Sequence, residues 1–151
     1  MTLAYEYFAA PSDEDAVRVL ELVGAGPGRV VAGGFDIIDG AGIEPTVNLV
    51  DLEELLTGVA YDVITENPRA GETLASQDDQ GMVITITDSL QAALSRIDDN
   101  GLAPLAADWS HAEEFGGEVS PGDLRAFLAD LSGLAKRALD RNERLYCRVQ
   151  Y

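Results

Sequence analysis

The only histidine of this chain, His111, sits in the run Asp108-Trp109-Ser110-His111-Ala112-Glu113-Glu114. An imidazole beside carboxylates suits two chemistries: ligation of a divalent metal, or nucleophilic catalysis with Ser110. Neither follows from the run alone, because a hydrogen-bonded triad needs groups that converge from different elements. The His-x-Glu pair at 111 and 113 lacks the cysteine pair of a zinc deaminase, since Cys147 is the sole cysteine. A pocket built from Trp109, His111, Glu113 and Glu114 therefore needs partners from elsewhere in the fold. Gly24-x-Gly26-x-Gly28 invites a phosphate-loop reading. Such a loop runs from strand into helix, whereas these glycines follow a helical pattern and Pro27 removes a donor. A helix stop is the simpler reading.

Carboxylates cluster in two turns, Asp36 to Asp39-Gly40 and Asp98-Asp99-Asn100-Gly101. A calcium loop starting at Asp98 would place Leu102 and Trp109 at ligand positions they cannot serve. Glu53-Glu54 and Glu113-Glu114 are adjacent and point apart on a helix, so they do not make the facing pair of a glycosidase. Cys147 lies on the apolar face of a strand pattern and reads as a small buried hydrophobe. No catalytic, metal-ligating or cofactor-binding set emerges, and no cofactor is expected.

What remains is charge. The 151 residues hold 27 acids against 10 lysines and arginines, a formal net of −17. Residues 1–124 carry 24 acids and four arginines, net −20; residues 125–151 carry three acids and six cations, net +3. Nucleic acid and anionic membrane surfaces are disfavoured as direct ligands, because binding them requires Lys and Arg. A basic protein partner is favoured. The longest apolar runs fall far short of the ~20 residues that cross a bilayer. The opening residues lack the basic region of a secretory signal, which points to the cytoplasm. Nine of the ten cations are arginine, as in proteins from GC-rich bacterial genomes.

The elements that position these residues follow from periodicity. Leu3–Ala10 reads as a strand, and Ser12 caps a helix whose first turn holds Asp13, Glu14 and Asp15. Val17, Leu20 and Val23 continue it at helical spacing. Arg29–Ala32 and Phe35–Ile38 read as a hairpin or an irregular strand pair, and Val47–Leu56 as a helix that stops at Gly58. The polar stretch 66–81 reads as a surface loop of a length often functional or mobile. Met82–Thr87 is a strand, and Asp88 or Ser89 caps a helix with Gln91 in capping-box position. Asp98-Asp99-Asn100-Gly101 stops that helix, and residues 102–119 are ambiguous, with Leu105, Trp109 and Phe115 as anchors pinning a loop to the core. Ser120-Pro121 opens a long helix on Leu124, Phe127, Leu128, Leu131, Leu134, Ala135 and Ala138. Arg144–Tyr151 closes the chain as a half-buried strand whose exposed edge could pair two subunits. The expectation is a single α+β domain over residues 1–151, a mixed or antiparallel sheet with helices on one face.

This layout resembles the YfbM-like family of uncharacterised bacterial proteins. The carriers are Tyr7-Phe8-Ala9 with Ser12-Asp13 and a helix, then Met82–Thr87 with Leu90–Ile97, and a long helix ending in Arg141-Asn142-Glu143-Arg144-Leu145 before a terminal strand. The glycine-rich middle, residues 25–81, departs from that pattern. The resemblance implies a small α+β domain and no assigned activity.

The leading expectation is a non-enzymatic, immunity-like module that binds a basic protein. Two alternatives stand beside it. One is a small hydrolase or ligand-binding domain with its pocket at Trp109, His111, Glu113 and Glu114 beside residues 66–81. The other is a DNA mimic, whose carboxylates would run along a ridge like phosphates.

Overall fold

Alternating side chains along the strands build two separate apolar layers, and these layers decide where every other element sits. The computed structural model describes residues 4–21, 30–32, 35–77, 81–112, 115 and 119–150. In chain order the elements are β1 (Ala4–Ala10), α1 (Asp13–Val17) running into a 3-10 turn (Arg18–Glu21), β2 (Val30–Ala32), β3 (Phe35–Asp39), α2 (Asn48–Thr57) and α3 (Tyr61–Thr65). There follow β4 (Thr73–Gln77), β5 (Gly81–Thr85), α4 (Asp88–Ser95), α5 (Asp99–Trp109), α6 (Pro121–Asp140) and β6 (Arg144–Gln150). The six strands form one sheet in the order β2-β3-β1-β6-β5-β4, antiparallel at every pairing. The architecture is α+β, as the sequence predicts.

Tyr7 and Ala9 of β1, Ile38 of β3, Ile84 of β5, and Leu145, Cys147 and Val149 of β6 face the first layer. Against them pack Leu49 and Leu52 of α2, Leu90 and Leu94 of α4, Ala106 and Trp109 of α5, and the apolar stripe of α6. Each fully buried leucine in this set contributes about 2 kcal/mol. The opposite face carries a second, smaller core of Phe8, Phe35, Ile37, Val83 and Tyr146, closed by Ala16, Val19 and Leu20. The large helices thus share one face. The short segment Asp13–Glu21 lies against the other, a placement that periodicity does not reveal.

Capping follows local chemistry. Ser12 Oγ accepts from Asp15 N–H at 3.1 Å, and Ser120 Oγ accepts from Asp123 N–H at 3.1 Å with Pro121 in the first turn. Gly58 ends α2 at φ 74°, the left-handed conformation that glycine adopts without strain. Gly81 enters β5 at φ 104°, and a Cβ there would meet Val149 O at 1.9 Å, so only glycine admits this approach of β5 to β6.

Four expectations are corrected. Residues 66–81 are not one loop: they contain β4, which pairs with β5 along the sheet edge. Its sequence, Thr-Leu-Ala-Ser-Gln, offers a single strong apolar residue because only Leu74 and Ala75 reach the smaller core. The cap of α4 is Thr87, whose hydroxyl accepts from Leu90 N–H at 3.1 Å; Gln91 instead donates to Glu143 O at 2.8 Å. Residues 99–109 are helix α5, capped by Asp98, although Asp98-Asp99-Asn100-Gly101 reads as a helix stop, and Pro104 lies inside it. Finally β6 is no edge. It lies between β1 and β5 and buries Leu145–Val149 on both faces, so it offers no free edge for pairing subunits.

Candidate functional site

Trp109 and His111 part company at the end of α5. The Trp109 indole is fully buried, donates from Nε1 to Asn48 O at 3.1 Å, and meets Phe115 edge-on with centroids 5.4 Å apart. His111, two residues on, lies in the turn after the helix and is exposed, with its backbone N–H bonded to Asp108 O at 3.2 Å. Ser110 Oγ donates to Ala107 O at 2.7 Å and not to the imidazole. Glu113 and Glu114 lie outside the described residues. The structure therefore does not bring Trp109 and His111 into one cavity. Among the described residues no three His, Cys, Asp or Glu side chains stand close enough to hold a metal ion. Asp98, weighed above as a calcium ligand, caps α5 by accepting from Gly101 N–H at 2.8 Å. Cys147 is fully buried, and burial pushes its thiol pKa up.

The acids with structural roles serve in ways their sequence settings did not indicate, and Asp36, grouped above with a turn, lies within strand β3. Asp36 on β3 is 1% exposed and accepts from Arg137 Nε at 2.7 Å and from Arg141 Nη2 at 3.1 Å. Arg141 also pairs with Glu143 at 3.1 Å. On the other sheet face, Tyr146 donates its hydroxyl to Asp13 Oδ1 at 2.6 Å, and Arg69 Nη1 bonds both oxygens of Asp13. The Tyr146 hydroxyl bond, with the Arg69 charge, holds the Asp13 carboxyl below the usual range. Burial, reinforced by that carboxylate, pushes Tyr146 up to about 12. Glu6 stands opposite Arg148 across β1 and β6, both almost fully buried, and burial lowers the Arg148 pKa while Glu6 opposes the shift.

Glu53 of α2 comes nearest to a chemical arrangement. Its buried carboxylate accepts from the Thr87 hydroxyl and, at 2.8 Å, from Ser89 Oγ. A hydroxyl held by a carboxylate resembles half of a nucleophile–base pair. The adjoining cavity, lined by Leu49, Gly71 and Leu90 among others, holds only about 10 Å³, the space of one water. No substrate fits there. The larger groove, about 350 Å³ between Asp39, Ala41, Asp123, Phe127 and Asp130, is open and brings only aspartates to an apolar floor. The signal for Glu53 was present in the sequence, since it falls on the stripe of Leu49, Leu52 and Leu56.

Charge is what the fold organises. The cations after residue 124 do not form a basic patch. Arg137 and Arg141 close on Asp36, Arg144 on Asp88 at 3.3 Å, and Arg148 on Glu6, while Lys136 Nζ donates to Ile97 O at 2.9 Å. Arg69 and Arg18 are paired with Asp13 and Asp15. Four of the six cations of the positive segment, Arg137, Arg141, Arg144 and Arg148, thus lie against acids of the body, while Arg125 is exposed. Exposed carboxylates meanwhile stand on α2, α3, α5 and α6: Glu54, Asp62, Asp99, Asp108, Asp123 and Asp130 among them. Among the described residues no helix is long and apolar enough to cross a membrane. Comparison with known proteins finds no match, whether to a family model, a curated protein or a solved structure.

Proposed function

We propose that this protein is a non-enzymatic binding module, acting in the cytoplasm in the manner of an immunity protein, whose partner is a basic protein. The observation that supports this reading is the internal use of cations. Arg69, Arg137 and Arg141 bond the chain's own carboxylates and Arg148 lies opposite Glu6, so these cations are partly spent within the fold and the net field presented to solvent is negative. Such a field steers a cationic partner into encounter and repels nucleic acid. The resemblance to the YfbM-like proteins is part of the same proposal and adds no reaction to it. The test is capture of binding proteins at low and at high salt, followed by titration of the purified partner. A basic partner whose association slows about tenfold or more between ~50 and ~300 mM salt supports the reading. Absence of any basic partner at low salt overturns it.

A further inference from the structure

Four large apolar side chains are exposed among the described residues: Leu55, Val59, Val63 and Leu139. Leu139 stands alone on α6, which is ordinary for a surface. The other three fall within nine residues, at 45%, 40% and 56% exposure, where α2 ends and α3 begins. The inward face of α2 is Leu49, Val50, Leu52 and Glu53, and α3 is anchored by Ile64. The corner is held firmly: Glu54 Oε2 accepts from Tyr61 N–H at 2.9 Å, and Thr57 Oγ1 accepts from Val59 N–H at 3.2 Å. A grouped, fixed apolar projection of this kind marks an interaction surface more than chance exposure does.

Its charge surroundings select the occupant. From Val30 to Pro68 the chain has no Lys, Arg or His but eight acids, and Glu54, Asp62 and Glu66, each within three residues in sequence of Leu55 or Val63, are exposed. An anionic lipid surface is repelled by that rim, and a second copy would bring two acidic rims together. We infer that the α2–α3 corner docks a basic amphipathic segment of another protein, whose apolar side chains cover Leu55, Val59 and Val63 while its Lys and Arg residues face Glu54, Asp62 and Glu66. This assignment rests on the basic-partner reading above and gives it a location.

The probe is a synthetic helical peptide with leucines on one face and lysines on the other, titrated at low salt against the full chain while amide shifts are followed by NMR. Binding with shifts confined to α2 and α3 is expected, weakened about thirtyfold in Leu55→Ser/Val59→Ser/Val63→Ser and unchanged in Leu139→Ser. Circular dichroism and Trp109 emission verify that each variant is folded. Shifts on α5 or α6 with undiminished binding by the triple variant overturn the corner while leaving a basic partner in place. Equal binding of a peptide with glutamates for lysines, or no binding of either, overturns both readings. A wild-type dimer that the triple variant converts to monomer overturns the inference in favour of self-association.

Discussion

Asp36 and Arg137, 101 residues apart in sequence, meet at 2.7 Å between the underside of the sheet and the longest helix. The carboxylate is almost fully enclosed, whereas its two arginine partners keep 34% and 44% of their side-chain exposure. The three groups are therefore unequal. Without the carboxylate the arginines turn to water; without the arginines the carboxylate has no route out. Arg137→Ala/Arg141→Ala is expected to lose about 3 kcal/mol and Asp36→Asn about 1–2 kcal/mol. Urea denaturation measures both, and equal losses would refute the asymmetry.

Stability should fall on both sides of neutrality, for different groups. Asp13 has a lower pKa folded than unfolded, so its contribution is complete above its ordinary value of 3.8 and disappears as pH falls through the depressed folded value. Tyr146 is raised from 10.0 to about 12, so its contribution is complete below pH 10 and is lost as pH rises toward 12. Tyr7 and Cys147, both raised by burial, add to the alkaline loss. Thermal melts across pH should show Asp13→Asn flattening the acid limb and Tyr146→Phe flattening part of the alkaline one.

Trp109 is the only tryptophan and its indole N–H is bonded inside the core. Its emission should be blue-shifted in the native state and move red in a single transition on unfolding. Trp109→Phe removes the donor to Asn48 O and leaves a gap beside Phe115 and Phe127, with an expected loss of about 2–4 kcal/mol in urea midpoint analysis.

Cys147 should resist iodoacetamide under native conditions, because its thiol is enclosed beneath α6 and its pKa is raised. Labelling followed by mass spectrometry should track the unfolded fraction through a urea titration. Rapid alkylation of the folded protein would contradict the burial.

Much of the fold was legible where one periodicity dominates. The stripe of α6, the alternation of β5 and the Ser12 and Ser120 caps read directly from residue types. The failures share a cause, which is that context outweighed local pattern. The polar strand β4 exists because β5 offers it an edge, and α5 persists through Gly101 and Pro104 because Leu102, Ala106 and Trp109 are buried. β6 looked half polar because Tyr146 and Arg148 alternate with Leu145 and Cys147. In place, those polar residues face Asp13 and Glu6 on the second layer. Of the motif around His111, sequence supplied proximity along the chain but not burial, and Trp109 is enclosed while His111 is exposed. The buried carboxylates Asp36 and Glu53 carried only their position on an apolar face as a signal.

The strand order has one more meaning. Its left half, β2-β3-β1, comes wholly from residues before α2, and its right half, β6-β5-β4, wholly from residues after α3. The halves join along one seam, where Ala4 through Ala10 run against Gln150 through Arg144, with α6 laid across it as a brace. A cut at the exposed turn around Asn67 and Pro68 would leave each fragment three neighbouring strands, and their reunion would have to close that seam together with the contacts of α2 on α4 and α5 and the Asp13 and Asp36 ion pairs.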